Sequence, residues 1–111
     1  DDIPEKLNDA AGVTAGCTPA FTYMFIEALA DGAVMAGVPR AKAMEYAAQA
    51  VMGAAALVLE SGQHPGALKD AVCSPGGSTI VGVAKLEEGG LRSAAIQAIL
   101  GAYHRNQELG K

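Results

Sequence analysis

Apolar residues in this chain recur at helical spacing and almost nowhere alternate with a period of two, which restricts the fold to packed helices. One stripe holds Phe21, Met24, Phe25, Ala28, Leu29, Gly32, Met35 and Ala36, and a second holds Met44, Ala47, Ala48, Val51, Met52, Ala55, Val58 and Leu59. A third runs through Leu91, Ala95, Ala98, Ile99 and Ala102, while the other side of that segment carries Ile96, Leu100 and Tyr103. The expected fold class is all-α, without strands.

Punctuation then divides the chain into about six helices, expected near residues 4–10, 19–36, 40–61, 65–72, 77–88 and 91–109. Pro4 suits a first helical turn, where its missing N–H has no partner in any case, and Glu5 complements the positive end of the dipole. Thr18-Pro19 reads as a start, a hydroxyl cap followed by a preset φ. Gly37 before Val38-Pro39, Gly62, Ser74-Pro75-Gly76-Gly77 and Gly89-Gly90 read as stops or connectors.

The helices over 40–61 and 91–109 are apolar on more than one face, and 23 alanines make every helix narrow. Such helices need neighbours on both sides. A chain of 111 residues has room for one domain and few interior helices, so a second copy that interlocks with it as a homodimer would cover the surplus faces. A monomeric bundle with an exposed alanine-rich patch satisfies the same pattern, and periodicity does not choose between them.

Composition removes several classes of function. A formal net charge of −4 leaves no basic surface for a phosphate backbone, so nucleic acid is not an expected partner. The longest uncharged apolar stretch, Ala47 to Leu59, is too short for a bilayer, so no membrane is expected either. Cys17 and Cys73 fit two free thiols in a cytoplasmic protein, and His64 and His104 lack companions at ligand spacing, so each reads as a helix-end or surface residue and no metal is expected.

One loop can carry chemistry. Cys73-Ser74-Pro75-Gly76-Gly77-Ser78-Thr79 joins two helices and offers backbone N–H groups at the start of the second, an arrangement that favours phosphate or carboxylate. The hydroxyls of Ser74, Ser78 and Thr79 can add donors. Taken alone, a Gly-Gly run between helices is more often a plain connector.

His64-Pro65-Gly66-Ala67-Leu68-Lys69-Asp70, Val72, Ser74 to Thr79, Gly82 and Leu86-Glu87 together resemble the signature of pyrroline-5-carboxylate reductases. The likeness extends through Phe25 to Gly32, Gly37 to Arg40 and Gly89 to Arg92, which is essentially the whole chain. The resemblance implies the C-terminal helical domain, residues 1–111, of an enzyme that reduces 1-pyrroline-5-carboxylate to L-proline with NADPH or NADH. The dinucleotide would be held mainly by an N-terminal Rossmann domain, of which the chain shows no Gly-rich βαβ segment. Homodimers, in some relatives stacked into larger rings, would place the substrate at the interface.

Carried over residue by residue, Ser74, Gly76, Gly77, Ser78 and Thr79 would bind the substrate carboxylate. Thr79 would be the catalytic residue near the ring nitrogen. Glu5 matches an acidic position that approaches the substrate in relatives, although a lone Glu on a first turn is also a dipole partner. Ala71 and Val72 fall where relatives line the nicotinamide, and Ala71 offers only backbone. Where the family commonly shows Gly-Ser-Gly-Pro-Ala-Tyr, this chain has Gly16-Cys17-Thr18-Pro19-Ala20-Phe21, losing one hydroxyl at Cys17 and another at Phe21. Those departures support an alternative, a degenerate oligomerisation module without a catalytic role, against which the intact Ser74 to Thr79 loop speaks.

Overall fold

A computed structural model describes residues 3–110, and every regular element among them is helical. A 3-10 turn at Glu5–Leu7 is followed by α1 (Asn8–Met35), α2 (Arg40–Ser61), α3 (Pro65–Ala71), α4 (Ser78–Glu88) and α5 (Leu91–Leu109). Five helices stand where about six were expected. The difference lies at Thr18-Pro19, which does not start a helix: the segments expected over 4–10 and 19–36 merge, and Pro19 lies inside α1.

The proline is tolerated because it removes a single internal bond, the one its missing N–H would have donated to the Ala15 carbonyl. Ala15 is exposed, so that carbonyl can be solvated. Ala10, Ala11 and Ala15 upstream are strong helix formers, and propagating an existing helix costs far less than nucleating a new one. The Thr22 hydroxyl donates to the Thr18 carbonyl at 2.9 Å and so adds a bond within the same turn. The remaining boundaries agree with the sequence to within one residue.

The chain forms two compact units, one joining the stretch up to Met24 with that from Gly90 onward, the other Phe25–Gly89. In the first, Val13 is buried, and the Gln107 side-chain amide donates to the Asp9 carboxylate at 3.0 Å. Ala98, Ile99 and Ala102 of α5 are half-buried, as their spacing predicts, whereas Leu91 and Ala95 of the same expected stripe are exposed; Tyr103, from the other side, is half-buried.

In the second unit the covered face of α1 agrees only in part with the stripe read from the sequence. Ala30 is fully buried and Phe25, Ile26, Ala33 and Val34 are half-buried, whereas Ala28, Leu29 and Met35 are exposed, as is Met24 at the edge of the first unit. On α2 Ala43 is buried and Ala47, Val51 and Val58, expected inside, are half-buried, whereas Met44, Ala48, Met52, Ala55 and Leu59, also expected inside, are exposed. An apolar stripe says that a face avoids water without saying which neighbour covers it, and these helices have two such faces. The single chain covers Ala30 on α1 and Ala43 on α2 and leaves Met35, Met44 and Met52 exposed.

Left-handed glycines end the long helices of this unit. Gly62, at φ 67°, closes α2 with its N–H on the Val58 carbonyl, and Gly37, at φ 110°, turns the chain between α1 and α2. Across that second turn Arg40 lies 2.6 Å from Asp31.

Candidate functional site

Between α3 and α4 the chain has almost no slack. The N–H groups of Val72 and Cys73 still close the end of α3, donating to the carbonyls of Lys69 at 3.1 Å and Asp70 at 3.2 Å. A tight turn follows at once: the Gly77 N–H donates to the Ser74 carbonyl at 3.1 Å. Gly76 takes φ 70°, the positive value required at the third residue of a type II turn, and proline is favoured at the second, where Pro75 stands. Ser-Pro-Gly-Gly is therefore a sequence for this particular turn.

Gly77 also caps α4, with extended backbone at φ −84° and ψ 174°, and no side chain hydrogen-bonds across the cap. The N–H groups of Ser78, Thr79 and Ile80 lie in the first turn, for which a helix supplies no internal acceptor. The positive end of the dipole is directed the same way, so the place suits an anion. Gly77 must lack a side chain: a Cβ there would stand 2.7 Å from the Ser74 hydroxyl oxygen and 3.3 Å from the Ser74 carbonyl oxygen.

The expectation that Gly76 and Gly77 both offer N–H groups to a ligand is corrected at Gly77, whose N–H is held by Ser74. Its contribution is space. The donors pass to Ser78 and Thr79, one step into the helix. Thr79 is exposed and does not cap α4, so its hydroxyl has no role in closing the helix start. Ser74 and Ser78 are exposed as well. Among the residues singled out in the sequence, the fold thus brings together Ser74, Gly76, Gly77, Ser78 and Thr79.

Ala71, the last residue of α3, and Val72, its C-cap, directly precede this turn. Both are exposed, Val72 by 66%. Glu5 is placed in the other unit, in the turn Glu5–Leu7, where it is exposed. The Cys17-Thr18 and Phe21 positions lie on α1, all three half-buried. Cys17 and Cys73 are free thiols. A shallow hollow of about 210 Å³ in the first unit is lined by Asn8, Asp9, Gly12, Val13, Cys17 and Asn106 and includes none of the turn residues. Sequence reasoning overlooked one contact at the entrance to α3: His64 accepts a hydrogen bond from the Gly66 N–H at 2.9 Å through Nδ1.

Over residues 5–109 the sequence matches the family described as pyrroline-5-carboxylate reductase dimerisation. It is 54% identical over 110 residues to a pyrroline-5-carboxylate reductase of Synechocystis sp., covering 99% of this chain and 41% of that protein. It is also 54% identical over 105 residues to the pyrroline-5-carboxylate reductase of Escherichia coli, covering 95% of this chain and 39% of that one. The chain thus spans about two fifths of the length of these curated relatives. Its fold matches the crystal structure of a Plasmodium falciparum pyrroline carboxylate reductase with NADP bound, with a TM-score of 0.92, 34% identity, and coverage of 100% of this chain and 45% of that one. A reductase from Streptococcus pyogenes matches with a TM-score of 0.88 and 43% identity over 95% of this chain and 40% of its own. Matched along nearly its whole length in sequence and in fold, the chain belongs to the pyrroline-5-carboxylate reductase dimerisation family.

Proposed function

We propose that this chain is the C-terminal substrate-binding and self-association domain of a cytoplasmic pyrroline-5-carboxylate reductase, which converts 1-pyrroline-5-carboxylate to L-proline. The observation that carries this reading is the turn Ser74–Gly77, which delivers the unpartnered first turn of α4 together with three exposed hydroxyls. In this reading the carboxylate of the substrate accepts from the N–H groups of Ser78 and Thr79 and from the hydroxyls of Ser74 and Ser78. The Thr79 hydroxyl stands beside the ring nitrogen. A protonated imine is already electrophilic, so the task of these residues is alignment of the ring and no strong acid is required. Glu5 is a further substrate contact on the strength of the resemblance alone.

NADPH or NADH, when bound, supplies hydride to the C=N carbon. In this reading a separate Rossmann domain holds it in the whole enzyme, in keeping with a chain that spans about two fifths of the length of its curated relatives. Ala71 and Val72 fit a marginal contact with that group, since they offer a short and an apolar exposed side chain immediately before the turn.

Self-association belongs to the same proposal. Met35 is 89% and Leu59 84% exposed, and Met24, Tyr46 and Met52 are exposed as well. Side chains of this size in contiguous helices mark a surface that another chain covers. The occupant is a second copy, and the assembly a homodimer.

The test is Thr79→Ala in the full-length protein, with its dinucleotide-binding domain attached. Loss of one hydrogen bond to a charged group lowers kcat/KM about 10- to 150-fold. The melting temperature stays within a degree or two, because Thr79 is exposed and caps nothing. Unchanged kcat/KM ends the site assignment.

A further inference from the structure

The entrance to α3 is built as a matched pair. His64 precedes Pro65 at the first helical position, and its Nδ1 accepts from the Gly66 N–H at 2.9 Å. Gly66 makes room for this approach: a Cβ there would stand 3.0 Å from Nδ1 and 3.3 Å from Cε1 of the imidazole. Among cap residues the usual acceptors are the short oxygens of Ser, Thr, Asp and Asn, so an imidazole in that role needs a bare neighbour two residues on.

The cap has leverage because α3 has only seven residues. Isolated helices below ~12–15 residues do not hold themselves in water, so the order of α3 rests on its ends and its packing. At its far end the N–H groups of Val72 and Cys73 close on Lys69 and Asp70, and Ser74, the first residue of the site turn, comes next. Fraying of α3 from its first turn therefore lets Ser74 drift.

We propose that His64 is a positioning residue for the Ser74–Thr79 site, acting through its Nδ1 cap on α3 and without touching substrate. The proposal rests on the substrate-binding reading given above. Substrate affinity then falls with the fraction of molecules whose turn is in place, while the chemical step in those molecules is unaltered. Loss of the cap shifts the ordering equilibrium of the turn by about 2- to 30-fold, raises KM by up to that factor and leaves kcat within twofold.

Three variants of the full-length enzyme decide the matter. His64→Ala removes the cap. His64→Asn places an acceptor where Nδ1 was, and His64→Gln places a polar group where Nε2 was. Steady-state kinetics with 1-pyrroline-5-carboxylate are read beside amide hydrogen exchange at Gly66, which reports the cap without substrate. Positioning by the cap predicts that His64→Ala and His64→Gln lose Gly66 protection and raise KM, whereas His64→Asn retains both wild-type values. Wild-type kinetics in His64→Gln with impaired His64→Asn would overturn the proposal in favour of direct contact through Nε2. A fall in kcat at constant KM, or lost Gly66 protection with unchanged KM, would also overturn it. Thr79→Ala measured alongside keeps the two failures apart: a deficient Thr79→Ala beside kinetically normal His64 variants removes only the positioning role, and a silent Thr79→Ala removes the site.

Discussion

A β-carbon placed on Gly77 would lie 2.7 Å from the Ser74 hydroxyl oxygen, so these two residues fit only while position 77 has no side chain. The Ser74 hydroxyl can rotate aside, but its carbonyl, 3.3 Å from the same point, belongs to the turn and also receives the Gly77 N–H. Gly77→Ala is expected to raise KM for substrate by moving Ser74, with far-ultraviolet circular dichroism unchanged. Gly77→Val, which adds branched bulk where a carboxylate must approach, lowers kcat/KM by more than Thr79→Ala does. Wild-type kinetics in Gly77→Val would show that no ligand enters this turn.

Replacing Pro19 by alanine restores one helical hydrogen bond, to the Ala15 carbonyl, and removes a ring from the middle of α1. Proline in a helix interior is about 3 kcal/mol less favourable than alanine, and part of that is offset because proline also restricts the unfolded chain. Pro19→Ala is expected to stabilise the domain by ~1–3 kcal/mol in urea titrations. A destabilised variant would show that the gap at Ala15 serves the native packing.

The Arg40–Asp31 ion pair is short, 2.6 Å, but its side chains are 54% and 56% exposed. Exposed pairs contribute ~0.2–1 kcal/mol, and salt screens them. A double-mutant cycle with Asp31→Ala and Arg40→Ala is expected to give a coupling in that range that vanishes in 1 M salt. A larger, salt-resistant coupling would mean that the pair is covered in the assembled protein.

Met35→Asp and Leu59→Asp replace the two most exposed of the apolar side chains considered above with charges. Each is expected to shift sedimentation from dimer toward monomer at micromolar concentration, while Glu60→Gln beside them has no effect. Unaltered sedimentation in both aspartate variants would place the interface elsewhere on the helices.

The 111-residue chain on its own is expected to show no saturable NADPH binding by calorimetry, since a pyrophosphate cradle of the Rossmann kind needs a strand this fold does not contain among its described residues. Tight binding by this domain would move the cofactor contacts onto it.

How far the sequence could be read depended on whether a signal was local. Gly62 as a helix stop and Ser-Pro-Gly-Gly as a turn are local, because each depends on backbone angles that only its own residues permit, and both stand where expected. Pro19 misled because its local meaning, a helix start, lost to an alanine-rich helix already propagating through it. The buried face of α1 misled for another reason. Ile26, Ala30 and Val34 form one apolar row on α1 and Met24, Leu29 and Met35 lie outside it, and spacing alone does not say which of them the rest of the chain covers. The direction of the Gly77 N–H and the Nδ1 bond of His64, a residue the sequence marked only as helix-end or surface, had no pattern to show them: both are single hydrogen bonds whose geometry depends on the turn being formed.

Val13, Ala30 and Ala43 are the buried hydrophobic residues of the described chain, two of them alanines. A lone protomer thus encloses little of the apolar surface that ordinarily offsets chain entropy. In the proposed homodimer folding and association become one equilibrium, and the midpoint of unfolding depends on protomer concentration. Melting curves of this domain are then expected to move to higher temperature with each tenfold increase in concentration, and dilution alone to unfold it. A mutation at the interface would show itself in a cell first as a lower level of the protein, before any change in turnover by the molecules that remain.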